Sequence, residues 1–555
     1  MRSSIRASHR SLALLVMALL PASGSCTSDS VVAVQNSVGS VALTPQSFSL
    51  DISGTRQMTA VVYDTSGAPM NGHPVAWTSV DPSTASVNGS GLVTGLRAGT
   101  TRIVASAGIH GDTSDATITA PPQTPATVRV NPAVTYQTMT GWEATAQSGH
   151  IECPRQSFGI YKNALYDRAV NELGINRIRL EIWAGAENSH DHFTDFITGI
   201  TTRDQWRPHW FEIVNDNADP NVADPAGFHF AYFDYLIDSI VTPMQQRLAA
   251  RGERLYVNLN YVAFRSTQTE HKANPPEYAE FILATFNHIQ SKYGWVPDAV
   301  EIILEPDNAG WTGSQIGAAV ASTGARLASA GFRPHIIAPS NADMGGSIAT
   351  FDQLIAVPGA STYLTDLAYH RYGGVSDGNL SAIGSRASQY GIRTAMLEHI
   401  GADHNALYKD LTLARNSSWQ QFALAYCNKP DDGGTYYNID TSNPSNPVIH
   451  LGSRSKFLSQ YFRFVRLGAV RVDASTTNPV LSPLAWRNTS GKFAVVVRTT
   501  AGASFTVGGV PAGTYGIRYT TGSQFDIGGA DATIASGGTI SASIPAAGVI
   551  TIYGR

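Results

Sequence analysis

The sequence predicts a multidomain chain: an N-terminal β-sandwich, a central (β/α)8 barrel and a C-terminal β-sandwich. Three observations carry this expectation. Residues 38–120 read as short strands broken by turn residues. From about residue 135, strand and helix periods alternate for about 300 residues. From about residue 469 the helical period vanishes and short strands return between Gly-rich turns. The length of 555 residues agrees, since roughly 150 residues per domain gives about three to four domains.

Composition narrows the function classes. Hydrophobic residues make up 43% of the chain, enough for several packed cores, which excludes wholesale disorder. Charged residues are only 14%, against roughly 25% in ordinary soluble chains. A formal net charge of −4 argues against a broadly basic nucleic-acid binder. With 51 Gly, 20 Phe, 22 Tyr and 9 Trp, the balance suits exported β-rich domains that contact sugars or surfaces.

Residues 1–26 read as a targeting segment. Arg2, Arg6 and Arg10 precede the apolar stretch 12–20, too short to span a bilayer and suited to a signal-peptide core. Pro21-Ala-Ser-Gly-Ser-Cys26 follows and resembles a bacterial lipoprotein cleavage site, with Ser23 where an apolar residue is usual. Export is therefore expected, to the cell envelope or the medium, and Cys26 is a candidate lipid anchor. Cys153 and Cys427 are the other cysteines and are candidates for pairing in an oxidising compartment. No Cys/His cluster has metal-ligand spacing, so no structural zinc and no metal are expected.

Within residues 38–120, Met58, Ala60 and Val62 alternate with Thr59, Val61 and Tyr63, the period of a half-buried strand. Turns fall at Asp64-Thr-Ser-Gly67, Asn71-Gly72, Asn88-Gly-Ser-Gly91 and Ala98-Gly99. The segments Val41-Ala-Leu-Thr-Pro45, Gln57-Met-Thr-Ala-Val-Val-Tyr-Asp64, Val75-Ala-Trp-Thr-Ser79 and Gly91-Leu-Val-Thr-Gly95 resemble the bacterial Ig-like group 2 domain (BIG2). That resemblance implies an Ig-like β-sandwich acting as a surface spacer or adhesive unit. Trp77 reads as a core residue of the sandwich, with a sugar platform as the alternative. Residues 121–126, opening on Pro121-Pro122, read as a stiff linker.

The central elements follow in order. Tyr166, Ala169, Val170 and Leu173 sit at helical spacing before Gly174, and residues 175–182 continue as a strand. Phe233, Leu236, Ile237 and Ile240 mark the next helix, followed by a strand at 255–261. A helix at 278–293 ends at Gly294, and the strands 299–304, 335–338, 367–369 and 393–397 follow. An eighth strand is placed at 435–437. Such a count favours a closed barrel over an open sheet. The absence of a Gly-x-Gly-x-x-Gly after any strand weakens a dinucleotide-binding alternative. The barrel is assigned to 127–468 and the sandwich to 469–555, where Ala494-Val-Val-Val-Arg498, Tyr515-Gly-Ile-Arg-Tyr519 and Val549-Ile-Thr-Ile-Tyr553 read as strands.

Two strand ends carry a carboxylate directly after an apolar run. Glu305 closes Glu301-Ile-Ile-Leu-Glu-Pro-Asp-Asn308, and Glu398 closes Ala395-Met-Leu-Glu-His-Ile-Gly401. In a (β/α)8 barrel chemistry gathers at the carboxyl ends of the strands. Strands four and seven face each other across the mouth. Glycoside hydrolysis needs such a pair flanking one sugar bond, one group to donate a proton and one to attack or to activate water.

With these motifs in hand, residues from about 133 to 555 look like clan A glycoside hydrolases, TIM barrels with an attached β-sandwich, and most like family 30. Tyr136-Gln-Thr-Met-Thr-Gly-Trp142 resembles the family's approach to the first barrel strand, Glu305-Pro-Asp-Asn308 its acid/base motif and Leu397-Glu-His-Ile-Gly401 its nucleophile motif. Ala368-Tyr-His-Arg-Tyr-Gly-Gly374 resembles its sixth-strand motif, and Leu467-Gly-Ala-Val-Arg471 the turn into its sandwich. The resemblance implies a retaining hydrolase of a β-linked glycan, free of cofactors, with Glu305 as acid/base and Glu398 as nucleophile. The acid's pKa is then expected to be raised by its site. His370 and Tyr372 are expected to line the pocket, with Tyr372 hydrogen-bonding near Glu398. Arg179 is expected to pair with Glu398. Trp142 is a candidate sugar platform or a core residue. The resemblance also implies that a strand at residues 126–130 joins the C-terminal sandwich.

Two departures stand out. Leu304 occupies the position before the acid/base where the family usually has Asn to bind the sugar 2-hydroxyl, and Asn260 is a candidate substitute. Asn258-Leu-Asn-Tyr-Val-Ala-Phe264 replaces the family's Trp- and Pro-rich loop. Trp206, His209 and Trp210 lie in a long loop and read as sugar contacts or as a satellite hydrophobic cluster. Two rival functions remain at this stage: a non-catalytic carbohydrate-binding surface protein, and an adhesin acting through the Ig-like module.

Overall fold

The computed structural model describes residues 37–119, 127–264 and 270–555. The expected signal peptide with Cys26 and the expected linker at 121–126 lie outside the described residues. The chain divides into two units, residues 1–121 and 122–555.

The first unit is a β-sandwich. Ser47–Asp51, His110–Thr119, Gly99–Ala107 and Ala76–Ser79 form one four-stranded sheet in that order. Residues of alternate parity on Gly99–Ala107 are buried, as a half-covered strand requires. Leu43, Met58, Val62, Val93, Ile103 and Ile118 make the core. The turn after Tyr63 is set by Asp64, whose carboxylate accepts from the backbone of Ser66 and Ala68 at 2.8 and 2.9 Å. Trp77 packs half-buried against this core, its ring lying over Gly91 where a Cβ would come within 2.6 Å.

In the second unit eight parallel strands close into a barrel. They are Gly141–Ser148, Arg177–Trp183, Tyr256–Val262, Ala299–Glu301, His335–Asp343, Leu364–Gly373, Arg393–Glu398 and Asn416–Cys427. Closure comes from the first and eighth, with Gly141 opposite Ser418 and Trp142 opposite Trp419. The eighth strand is thus 416–427 and not 435–437 as the sequence suggested. Thr435–Asp440 pairs parallel to it on the outside and is followed by antiparallel Val448–Leu451. The true eighth strand escaped notice because it opens on Asn416-Ser-Ser and carries Gln420 and Gln421, all buried. Its apolar run, residues 422–427, comes only after this polar opening.

The barrel interior explains that composition. Polar residues alternate inward along several strands, and Glu143, Arg177, Arg179, Asn258, Asn260 and Glu301 are all essentially without solvent exposure. Glu143 and Arg177 pair at the amino-terminal end of the barrel. The helices outside read as expected. Pro275–Tyr293 starts on Pro275, ends at Gly294 with φ 75°, and buries Tyr278, Phe281, Ile282, Phe286 and Ile289 on one face.

The C-terminal sheet incorporates Val128–Thr138, which lies antiparallel to Val470–Thr476 and parallel to Ala503–Gly508. Its core includes Val130, Val495, Val497, Phe505, Ile550 and Ile552. Helix Ser453–Phe462 joins sheet and barrel: the Gln460 amide donates to Thr520 at 3.1 Å and its backbone carbonyl accepts from Thr551 at 2.7 Å. Trp142 belongs to this junction. It is fully buried, stacks on Phe462 at 4.5 Å, and donates its indole N–H to the Val465 carbonyl at 2.6 Å. As the second residue of its strand it sits far from the carboxyl-end mouth, so the sugar-platform expectation is corrected to a core role.

Cys153, just after the first strand, and Cys427, ending the eighth, form a disulfide with Cα atoms 5.6 Å apart. The bond fastens the seam where the barrel closes. Replacing both cysteines by serine is expected to lower the unfolding free energy by about 2–4 kcal/mol in a denaturant titration without reductant. An unchanged midpoint would contradict a stabilising bridge.

Candidate active site

Glu305 is delivered by the continuation of the fourth strand. The Ile302 amide donates to the Ile337 carbonyl at 3.1 Å and the Leu304 amide to that of Tyr261 at 3.0 Å, so neighbouring strands hold the chain up to the mouth. Glu305 itself adopts φ 48°, the left-handed region, and Pro306 starts a short helical turn, Pro306–Ala309. A non-glycine residue held there stores roughly 1–3 kcal/mol, a strain that recurs at functional positions. Glu398 is the last residue of the seventh strand.

The two carboxylates converge. One oxygen of Glu305, one oxygen of Glu398 and one ring nitrogen of His370 lie within 4.8 Å of one another. Their surroundings differ. The guanidinium of Arg179 donates to Oε2 of Glu398, and the Tyr372 hydroxyl donates to Oε1 at 3.0 Å. Arg179 also donates to the Leu397 carbonyl at 3.3 Å and is fully buried. The Arg179–Glu398 and Tyr372–Glu398 contacts are the ones expected from the sequence.

His370 is fully buried, with Nδ1 3.0 Å from Glu305 Oε1 and Nε2 3.2 Å from the Ser340 hydroxyl. Ser340 donates onward to Glu301 at 2.5 Å, and Glu301 also accepts from Asn258 at 2.9 Å. Glu305 is thus the exposed end of a buried polar chain. Burial pushes its carboxyl up, but the hydrogen bond and charge of His370, the Asn308 amide at 2.8 Å and the Arg179 charge outweigh it. The net effect holds Glu305 below the ordinary glutamate range, which reverses the expected upward shift. The reversal arises because both oxygens of Glu305 accept hydrogen bonds, a feature no sequence motif displays.

A third carboxyl, absent from the sequence expectations, stands in the same mouth. Glu181 accepts from the Gln147 amide at 3.0 Å and the Trp183 indole at 3.3 Å, and lies 3.8 Å from Arg179. Burial holds it above the ordinary range despite Arg179. Its signal was present in the second strand, where Arg177, Arg179 and Glu181 repeat at period two within an otherwise apolar run.

These groups floor a cleft of about 770 Å³ whose wall is aromatic and aliphatic: Trp183, Trp210, Phe211, Phe264, Leu304 and Phe422. Leu304 is part of this wall, packed with Trp183, Phe193 and Val262. Trp210 faces the cleft, Trp206 is buried behind it, and His209 pairs with Glu212 and stacks on His192. Asn260 lies below, fully enclosed in the barrel in register with Glu181 and Glu301, its amide atoms unpartnered. It is not among the residues that line the cleft. A second concavity of about 560 Å³, lined by Asp307, Asn308, Asp343 and Tyr372, shares Glu305 and Glu398 with the first.

Comparison with known proteins agrees with this architecture. Residues 37–118 match the family model of the bacterial Ig-like domain (group 2). A GH30 endoxylanase from Clostridium papyrosolvens C71 superposes with TM-score 0.53 at 18% identity, covering 77% of this chain and 99% of its own. The catalytic domain of GH30 xylanase C from Talaromyces cellulolyticus gives 0.55 at 16% identity, with 77% and 99% covered. The barrel and its sandwich share the fold of glycoside hydrolase family 30. The endo-β1,6-glucanase BT3312 is similar at TM-score 0.54 and 16% identity, over 80% of this chain and 96% of its own. No curated protein matches the chain. In the family 30 fold Glu305 and Glu398 stand at the carboxyl-end mouth, the face where barrel enzymes place their chemistry.

The depressed carboxyl of Glu305 has a measurable sign. Its ionised form is favoured by the fold, so that stabilisation is complete above the unfolded value near 4.5 and is lost as pH falls through the lower folded value. Glu305→Gln is expected to flatten the acid limb of a stability–pH profile, and His370→Ala to raise the Glu305 pKa in a carbon-13 carboxyl titration. An unmoved pKa in His370→Ala would contradict the assignment.

Proposed function

We propose that the chain is an exported, retaining glycoside hydrolase that cleaves an internal β-linkage of a polysaccharide. The observation that carries this reading is the approach of the two carboxylates, within 4.8 Å oxygen to oxygen. Carboxyls of retaining pairs stand about 5–5.5 Å apart, whereas inverting pairs need about 6.5–9.5 Å to seat a water.

The roles follow from the surroundings. In the first step an oxygen of Glu398 attacks the anomeric carbon, the glycosidic C–O bond breaks, and Glu305 gives its proton to the leaving oxygen. In the second step Glu305, now a carboxylate, takes a proton from water as that oxygen attacks the anomeric carbon and Glu398 departs as a carboxylate. Arg179 and Tyr372 hold the two oxygens of Glu398, which orients it for attack and receives its charge on departure. His370 presents a ring nitrogen to Glu305, fixing the position of the proton donor.

Internal cleavage is supported by the two concavities that share the carboxylates. A glycan running from one to the other would place sugars on both sides of the bond. The aromatic wall offers apolar faces to pyranose rings, while Glu181 offers a hydroxyl acceptor. The similar structures are named as xylanases and as an endo-β1,6-glucanase, which supports a β-linked polymer as substrate. The targeting pattern of residues 1–26, with Cys26 as lipid anchor, and the Ig-like match support export. The rival, a binding-only surface protein, draws on Leu304, which cannot hydrogen-bond a sugar hydroxyl.

The test is sugar release from xylans and β-glucans. Glu398→Gln is expected to abolish it. Glu305→Gln is expected to lower kcat/KM about 10²–10⁴-fold on natural linkages and far less on aryl glycosides whose leaving group needs no proton. Because Glu305 titrates low in the free protein, kcat/KM should be highest on the acid side of neutrality and decline as pH rises. Glycan binding that survives in both variants without release by the parent would favour the binding-only protein.

A further inference from the structure

Away from the cleft, a second group of acids is buried without matching cations. One carboxylate oxygen each from Glu187, Asp216 and Glu277 lies within 4.8 Å of the others. Glu187 and Glu277 are 1% and 3% exposed. Three segments distant in sequence bring them together. Glu187 follows the second barrel strand, Asp216 lies in the long loop after it, and Glu277 is in the first turn of helix Pro275–Tyr293.

Glu280 points to what this group holds. It sits one turn beyond Glu277 on the same helix face, is 3% exposed, and neither carboxylate oxygen receives a hydrogen bond from outside the acid group. Its charged neighbours are Asp216, Glu277 and Glu187, with Arg326 opposing. Asp216 adds a further buried oxygen, Oδ1, with no partner. The remaining contacts leave the excess of acid standing. Glu187 accepts from His271 at 2.6 Å and from the Asp216 backbone at 3.2 Å. Arg326 directs its guanidinium to the Pro276 carbonyl and the Asn221 side chain at 2.9 and 3.2 Å.

Three carboxylates within 4.8 Å of one another, with that of Glu280 one helical turn away, are unfavourable as free anions, since each loses hydration and repels the rest. All the donors are oxygen, which selects a hard cation. Their number and their flexible loop placement suit Ca²⁺, which takes about 6–8 oxygen ligands at about 2.3–2.6 Å, over Mg²⁺ with its strict octahedron. We propose that Glu187, Asp216, Glu277 and Glu280 form a calcium site. It ties the long loop that carries Trp210 and Phe211 to the helix Pro275–Tyr293, and so braces the aromatic wall of the cleft from behind.

The test is calcium binding to the full chain after removal of metals with chelator, read by calorimetry and by thermal melting. One Ca²⁺ per chain is expected, with a melting temperature higher by about 2–4 °C at saturating calcium. Glu280→Gln, equal in shape and uncharged, should lose both the heat of binding and the calcium-dependent rise, and Asp216→Asn should weaken both. No binding by the parent at 10 mM (on the order of the weakest protein sites) overturns the proposal. So does an equal rise with Mg²⁺, or an equal rise with Ca²⁺ in Glu280→Gln. A Glu280→Gln protein that melts higher than the parent regardless of calcium also overturns it, because the cluster is then neutralised by protons. None of these readouts depends on hydrolysis.

Discussion

A fully buried guanidinium, that of Arg179, sets the terms for the barrel. It lies inside the closed sheet, donates to Glu398 and to the Leu397 carbonyl, and feels Glu301 and Glu181 as well. A buried cation is tolerated only when compensated by charge and hydrogen bonds. The interior therefore departs from the usual layers of branched apolar side chains. Glu143 and Arg177 pair below, and Arg179 and Glu398 pair above. Gln in place of Glu398 removes one of the carboxylates facing Arg179 but keeps the shape and a carbonyl acceptor, with Glu301 and Glu181 remaining.

From that constraint the difference between the two carboxylates follows. Glu398 is held by Arg179 and Tyr372 on the side of the seventh strand. Glu305 hangs from a strained backbone position and is reached through Ser340 and His370 from buried Glu301. The two groups are close enough to act on one bond, yet each is oriented by a separate set of partners. Leu304, next to Glu305, lines the apolar side of the cleft, and Glu181 on the second strand lines the same cleft.

What the sequence revealed and what it hid divide along a physical line. Strands with apolar runs, helices with a 3.6 period and turns built on Gly, Asn and Asp were legible, since each is a local property. So were the strand-end motifs of Glu305 and Glu398, because a carboxylate closing an apolar strand is a local signature, and the structure brings the two together. Asn416–Cys427 was missed since its inward side chains are polar in answer to the charged interior. For Trp142 the sequence left a sugar platform and a core role equally open, and its position at the amino end of the strand, under Phe462, which decides for the core, is a tertiary fact. The low pKa of Glu305 and the acid cluster around Glu280 each depend on residues more than 60 positions apart, which no spacing rule joins.

The central claim is that Glu398, positioned by Arg179, becomes covalently bonded to sugar during turnover. The most direct measurement is peptide mass mapping of the Glu305→Gln protein after reaction with activated 2-fluoro glycosides of xylose and glucose, which slow the second step. The account predicts one added glycosyl group, located on Glu398. A glycosyl group on another residue would contradict it, as would release of product with inverted configuration and no trapped adduct.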